Sequence, residues 1–148
     1  MLDDVFMREA LEEAKAAFAK GEVPVGAVLV LEGQVIARAH NLVESLKDAT
    51  AHAEILCLKK GSEQLSNWRL LNTTLYVTLE PCCMCVGAIL LSRVKRVVWG
   101  APDLRQGADG SWVDVLRKKH PIHCIDVTSG ILLQESAQLM RDFFKNKR

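Results

Sequence analysis

TTLYVTLEPCCMCVGAILLS, Thr73 to Ser92, changes character at one residue. Up to Glu80 it is β-branched and aromatic, the composition of a buried strand. Proline is favoured in the first turn of a helix, so Pro81 marks PCCMCVGAILLS as helical. The next apolar run, VKRVVWGA (Val94–Ala101), reads as another strand. A strand that runs straight into a helix and then a strand is the repeating unit of an α/β sheet.

The pattern extends in both directions. VPVGAVLVL (Val23–Leu31), Glu32-Gly33 and QVIARAH (Gln34–His40) read as a hairpin, with Pro24 and Gly26 at its entry. Ahead of it, Leu2 to Phe18 carries apolar residues at Leu2, Val5, Phe6, Ala10, Ala14, Ala17 and Phe18. Asp3 and Asp4 suit the start of a helix and Lys20-Gly21 its end. Asn41 to Thr50 lacks a sustained period and is expected to be loop. AHAEILCLKKG (Ala51–Gly61) reads as a helix, capped by Asp48 or Thr50 and stopped by Gly61. Beyond Ala101, the stretch Pro102 to Gly110 is expected to be loop, IHCIDVT (Ile122–Thr128) a short strand, and Ile131 to Lys145 a final helix. These elements predict an α/β fold, a three-layer α/β/α sandwich around a mixed five-stranded sheet with an antiparallel entry. Residues 1–148 read as one domain, without repeat, low-complexity stretch or linker.

The composition fits that fold. With 148 residues, 49% hydrophobic and 25% charged, the chain can bury a full core without disulfide staples. Its start is acidic and helix-patterned, unlike a signal or transit peptide, and no apolar run approaches the roughly 20 residues that span a bilayer. Five cysteines, an odd number, point to reduced thiols in the cytoplasm that serve metal or catalysis. The net charge of +1 gives no reason by itself to propose a nucleic-acid partner. Residues 1–60 hold 7 Lys and Arg against 10 Asp and Glu, while residues 61–148 hold 12 against 8, so the second half is mildly basic. Two basic knots, Arg117-Lys118-Lys119-His120 and Arg141, Lys145, Lys147 and Arg148, read individually as solvated surface.

The chemistry sits at two helix beginnings, His52-Ala53-Glu54 and Pro81-Cys82-Cys83-Met84-Cys85. Free N–H groups and the positive end of the dipole favour thiolates there. Positions three apart share a helix face, so Cys82 and Cys85 converge while Cys83 points about 100° away. His52 supplies an imidazole from the other helix, and His52, Cys82 and Cys85 make a three-ligand zinc site with one open position. Such a zinc lowers the pKa of water towards about 7, and Glu54 is placed to carry its proton. A redox CxxC would leave His52 and Glu54 without a task. A closed structural zinc needs a fourth ligand, and spacing nominates none of Cys57, Cys83, Cys124, His40, His120 or His123. Cys57, Cys83 and Cys124 read as packed small residues. Val86, Ile89 and Leu90 read equally as core or interface.

HxE at one helix start and PCxxC at another is the signature of hydrolytic zinc deaminases, which act at C4 of cytosine or C6 of adenine. VPVGAVLV, His40-Asn41, TAHAEI (Thr50–Ile55), LYVTLEPCCMCVGAI (Leu75–Ile89) and GADGSWVDVL (Gly107–Leu116), with GIL and DFF further on, closely resemble the bacterial tRNA-specific adenosine deaminases. That resemblance implies a cytidine-deaminase-like fold, a homodimer, and conversion of adenosine to inosine at the wobble position of a tRNA anticodon stem-loop. It implies that His52, Cys82 and Cys85 hold zinc, one ion per subunit, and that Glu54 shuttles protons. It further implies that Asn41 hydrogen-bonds the flipped base and that Asp103 lies in a loop at the RNA backbone. An Asn offers both donor and acceptor to a purine edge, and a carboxylate can accept from a 2′-OH and favour RNA over DNA. By base rate Asn41 is also a turn residue and Asp103 a turn or cap residue. Two departures reduce the expected phosphate contacts: Pro102 stands where a basic residue often precedes the loop aspartate, and no longer basic extension follows DFFKNKR. The rival readings are a free-base deaminase acting on guanine or cytosine and a zinc-stabilised RNA-binding module without turnover.

Overall fold

The computed structural model describes residues 2–147. In chain order its elements are α1 (Leu2–Ala19), β1 (Gly26–Leu31), β2 (Gln34–His40), α2 (Val43–Leu46), α3 (Ala53–Leu65), β3 (Thr73–Leu79), α4 (Cys83–Leu91), β4 (Arg96–Ala101), β5 (Asp126–Ser129) and α5 (Leu133–Asn146). The five strands form one mixed sheet in the order β2-β1-β3-β4-β5. β1 is antiparallel to both β2 and β3, whereas β3, β4 and β5 run parallel.

Side-chain alternation along the strands divides the interior in two. Ala27 and Leu29 of β1, Leu75 and Val77 of β3, and Val97 and Trp99 of β4 face Ala53, Cys57 and Leu58 of α3 and Val86, Ile89 and Leu90 of α4. Val28, Val30, Tyr76 and Val98 face Met7 and Ala10 of α1, with Ile131 and Leu132 ahead of α5 packed beside them. Helices therefore cover both faces, and the three-layer α/β/α sandwich expected from sequence is found. Val86, Ile89 and Leu90 belong to the core. At Gly26 the α1 backbone presses so close that a Cβ would collide with the Ala10 carbonyl, so only glycine fits there.

Several expectations are corrected. The buried stripe of α1 is Met7, Ala10, Leu11, Ala14 and Ala17, while Leu2 and Val5 are exposed. The segment expected as loop contains α2, a single helical turn whose Glu44 and Ser45 amides are satisfied from outside the segment by the Glu22 carboxylate. Asp48 and Thr50 bond to each other, and neither caps α3, whose N-cap is His52. Gly61 does not stop α3: it lies buried within the helix against Leu29, and the helix ends at Ser66 in a left-handed conformation. α4 begins at Cys83 with Cys82 as N-cap, so Pro81 precedes the helix instead of opening it. β5 starts later than expected, which leaves Cys124 exposed outside the strand; Cys83 is exposed too. Neither is the packed residue its neighbours suggested, because each lies on a solvent-facing side of its segment. Cys57 is fully buried, its thiol directed at the Ala37 carbonyl oxygen. Among the described residues no helix is long and apolar enough to cross a membrane.

Candidate active site

Strand direction decides where the chemistry gathers. β2, β3 and β4 point the same way, so Asn41 after β2, Cys82 after β3 and Asp103 after β4 emerge at one edge of the sheet. The N-termini of α3 and α4 meet at that edge. His52 and Cys82 are their N-caps, both extended in backbone, and Glu54 and Cys85 occupy the first turns.

The His52 Nδ1 lies 3.6 Å from the Cys82 Sγ and 3.5 Å from the Cys85 Sγ. All three donor atoms fall within 4.8 Å of one another, the one such grouping of His, Cys, Asp or Glu among the described residues. None of the candidate fourth ligands joins it. Cys85 is buried and Cys82 half-buried. Hydrogen bonding with Cys85 holds the Cys82 thiol down at about 4, and the same contact together with burial pushes the Cys85 thiol up. The hydrogen bond to Cys82 raises His52 against the opposing effect of burial. Glu54 is buried, and burial pushes its carboxyl up to about 7. A carboxyl so poised exchanges protons readily near neutral pH.

His52, Glu54 and Cys82 line a cavity of about 280 Å³ together with Asn41 and Asp103. Asn41 is buried; its Nδ2 donates to the Val23 carbonyl (3.3 Å) and its Oδ1 accepts from the Val43 amide (3.3 Å). An amide side chain has capacity for one more bond of each kind, so Asn41 is held in orientation with a donor and an acceptor to spare. Asp103 caps a turn and lines the cavity; its Oδ1 accepts from the amides of Arg105 (3.1 Å) and Gln106 (3.3 Å).

Sequence reasoning missed much of the wall, Glu22, Glu80, Met140 and Phe144 among it. Glu22 is completely buried and accepts from the amides of Glu44 (3.0 Å) and Ser45 (2.6 Å) and from the Ser45 hydroxyl. Burial works to raise its carboxyl, but those donors together hold it below its ordinary value. Glu80 is buried beneath the loop that follows β4. The available signal for both was an acid directly beside an apolar strand, since such a residue is rarely buried without partners. Met140 and Phe144 reach the cavity from α5, and helical periodicity alone could not show which end of the sheet α5 crosses. Of the basic knots, Arg141 and Lys145 flank a shallow groove beside Met140 and Phe144, Lys147 lies over the Phe143 ring, and Arg117 pairs with Asp109 at 3.0 Å. Arg148 lies outside the described residues.

The sequence model of the MafB19-like deaminase family matches residues 1–148. A tRNA-specific adenosine deaminase of Bacillus subtilis is 48% identical over 99% of this chain and 91% of its own length. The chloroplastic tRNA(adenine(34)) deaminase of Arabidopsis thaliana is 51% identical over 97% of this chain, which spans only 12% of that longer protein. A solved structure from work on A-to-I editing by tRNA:A34 deaminases superposes with a TM-score of 0.86 at 47% identity, covering 90% of this chain and 97% of that one.

Proposed function

The chain belongs to the MafB19-like deaminases and to the family of tRNA-specific adenosine deaminases, and on that footing we propose that it converts adenosine to inosine at the wobble position of a tRNA anticodon, with release of ammonia. The observation that carries this reading is that His52 and Cys82, clustered with the buried Cys85, line one cavity with a buried Glu54.

The donor set suits zinc. Bonds of about 2.3 Å to sulfur and 2.0–2.1 Å to nitrogen, opened to a tetrahedral angle, separate nitrogen from sulfur by about 3.5 Å. The separations of 3.5 and 3.6 Å agree with that spacing. A zinc ion held by His52 Nδ1 and the two thiolates supplies Lewis acidity and lowers the pKa of the attacking water. Glu54 would take one proton from the attacking water and hand it to N1 of the purine as the hydroxide adds to C6. It would then take the proton left on the C6 hydroxyl and pass it to the amino group, which departs as ammonia while the C6 carbonyl forms. Its carboxyl, pushed up to about 7 by burial, can both accept and donate within one cycle. Asn41 offers its spare donor and acceptor to the edge of the extruded base, and Asp103 accepts from a ribose 2′-OH.

The protein acts as one catalytic unit over residues 1–148 and works as a homodimer in the cytoplasm. All five cysteines are free, which suits a reducing compartment. Met84 and Leu91, seven residues apart on one exposed face of α4, supply apolar surface for a second copy. Trp112, 63% exposed, shares a groove with Met84 beside the metal-ligand cluster and extends that surface.

The test is direct. The metal-loaded protein is incubated with an anticodon stem-loop carrying adenosine at the wobble position, and in parallel with free guanine and cytosine. Inosine should form in the stem-loop alone. Glu54→Ala should keep its metal and lose activity by roughly 10²–10⁴-fold. Turnover of a free base, or RNA binding without turnover, would replace this reading with one of its rivals.

A further inference from the structure

We propose that Glu80 is a positioning residue that hangs the 103–111 loop over the cavity and thereby sets how tightly the substrate nucleotide is held. The inference rests on the deaminase reading above and concerns a side chain that takes no part in its chemistry.

Glu80 sits between the end of β3 and the ligand Cys82 and is 2% exposed. Its carboxylate collects the whole loop. Oε1 accepts from the Asp103 amide at 3.1 Å and from the Ser111 hydroxyl; Oε2 accepts from the amides of Asp109 at 2.7 Å and Ser111 at 3.3 Å. A carboxylate has about four acceptor sites, and all four are taken by one loop. Both ends of the segment therefore close on the same group. In the middle, a Cβ at Gly107 would collide with the Glu80 carboxyl, which explains the glycine there. Backbone bonds complete the wrap, from the Gly107 amide to the Asp103 carbonyl and from the Ala108 amide to the Pro81 carbonyl, both at 2.8 Å.

Apart from the Asp103 side chain, which accepts from the Arg105 and Gln106 amides, little else holds the outer part of the loop. Leu104 is 79% exposed, and Arg105 and Gln106 are exposed as well. Yet Asp103, Arg105 and Gln106 form part of the cavity wall. Its order thus depends on a carboxylate fixed at the far end of β3. GADGS (Gly107–Ser111) gains a physical role: the glycine admits the carboxylate and the serine hydroxyl bonds to it. A glutamine at position 80 would turn an NH2 group towards N–H or O–H donors, so a near-isosteric change opposes the arrangement.

The experiment uses the full metal-loaded protein with Glu80→Gln and Ser111→Ala, the latter removing one donor and leaving the carboxylate. Steady-state kinetics on the stem-loop, metal content, and hydrogen exchange at the Asp103, Asp109 and Ser111 amides are measured together. For Glu80→Gln, KM should rise roughly tenfold or more. Its kcat should stay within about threefold. Metal content should hold and the three amides should exchange faster. Ser111→Ala should move KM in the same direction by less, and it decides the matter if Glu80→Gln does not fold. An unchanged KM with slow exchange, a fall confined to kcat, or loss of metal would each overturn the proposal. If the wild type fails to deaminate the stem-loop, the functional reading fails; hydrogen exchange still decides whether Glu80 anchors the loop.

Discussion

The Nδ1 of His52 lies 3.5 Å from the Sγ of Cys85, although 33 residues separate them in the chain. Each residue stands at the beginning of its own helix, and the two helices start side by side at one sheet edge. The cluster of His52, Cys82 and Cys85 is therefore a property of topology as much as of motif.

Removal of single thiols tests that set. Cys82→Ser and Cys85→Ser should each strip the bound metal, because two protein ligands hold zinc far more weakly than three. Cys83→Ser should leave metal and activity within about twofold, since the Cys83 side chain is exposed and lies outside the ligand cluster. Metal content measured after desalting reads all three variants; retention in Cys85→Ser would remove Cys85 from the site.

Asp103→Asn keeps the Oδ1 that accepts from the Arg105 and Gln106 amides, so the turn survives. What changes is the carboxylate offered to a ribose 2′-OH, a contact worth about one charge-assisted hydrogen bond. The ratio of rates on matched RNA and DNA hairpins should fall about tenfold. An unchanged ratio would leave Asp103 as a turn cap alone.

Trp112→Lys tests the association surface. A lysine in the groove shared with Met84 places charge in the middle of the proposed contact, and the dimer Kd should weaken by about thirtyfold or more, read by sedimentation. Undiminished association would move the interface elsewhere.

Acid sensitivity has a named contributor. The Asp3 carboxylate accepts from Arg96 at 2.9 and 2.7 Å and from the Tyr76 hydroxyl at 2.8 Å, tying α1 to β4 and β3. The Arg96 guanidinium holds Asp3 below its ordinary value of 3.8. A lowered folded value means stability that is present above the unfolded value and lost as pH falls through the folded one. Asp3→Asn should thus cost about 1–3 kcal/mol at neutral pH in urea unfolding. The gap should close in acid, and a gap independent of pH would assign the effect to packing.

Much of this was legible in the chain itself. The β-branched run ending at Pro81, the hairpin entry and the alternation of strand and helix fixed an α/β sandwich, because burial on one or both faces writes its period directly into sequence. His52, Glu54, Cys82 and Cys85 were legible for a similar reason: helix geometry and ligand chemistry allow few residue types at few spacings. Helix ends were less legible. Gly61 reads as a stop yet packs inside α3 against Leu29, a long-range contact that no local signal carries. Cys83 and Cys124 read as packed small residues, and only the three-dimensional position of each segment turned them to solvent.

The sequence by itself determined the layers of the fold and nominated His52, Glu54, Cys82 and Cys85 as candidates, since both depend on local periodicity and on chemistry that few side chains can perform. Tertiary structure decided the surroundings: that Asn41, Cys82 and Asp103 leave the sheet at one edge, that α5 brings Met140 and Phe144 to the cavity, and that Glu22 and Glu80 anchor its two loops. The physical reason is that a buried carboxylate is defined by distant amides. Glu80 meets Asp109 29 residues away and Ser111 31 residues away, and that pairing exists once β3 and β4 lie side by side.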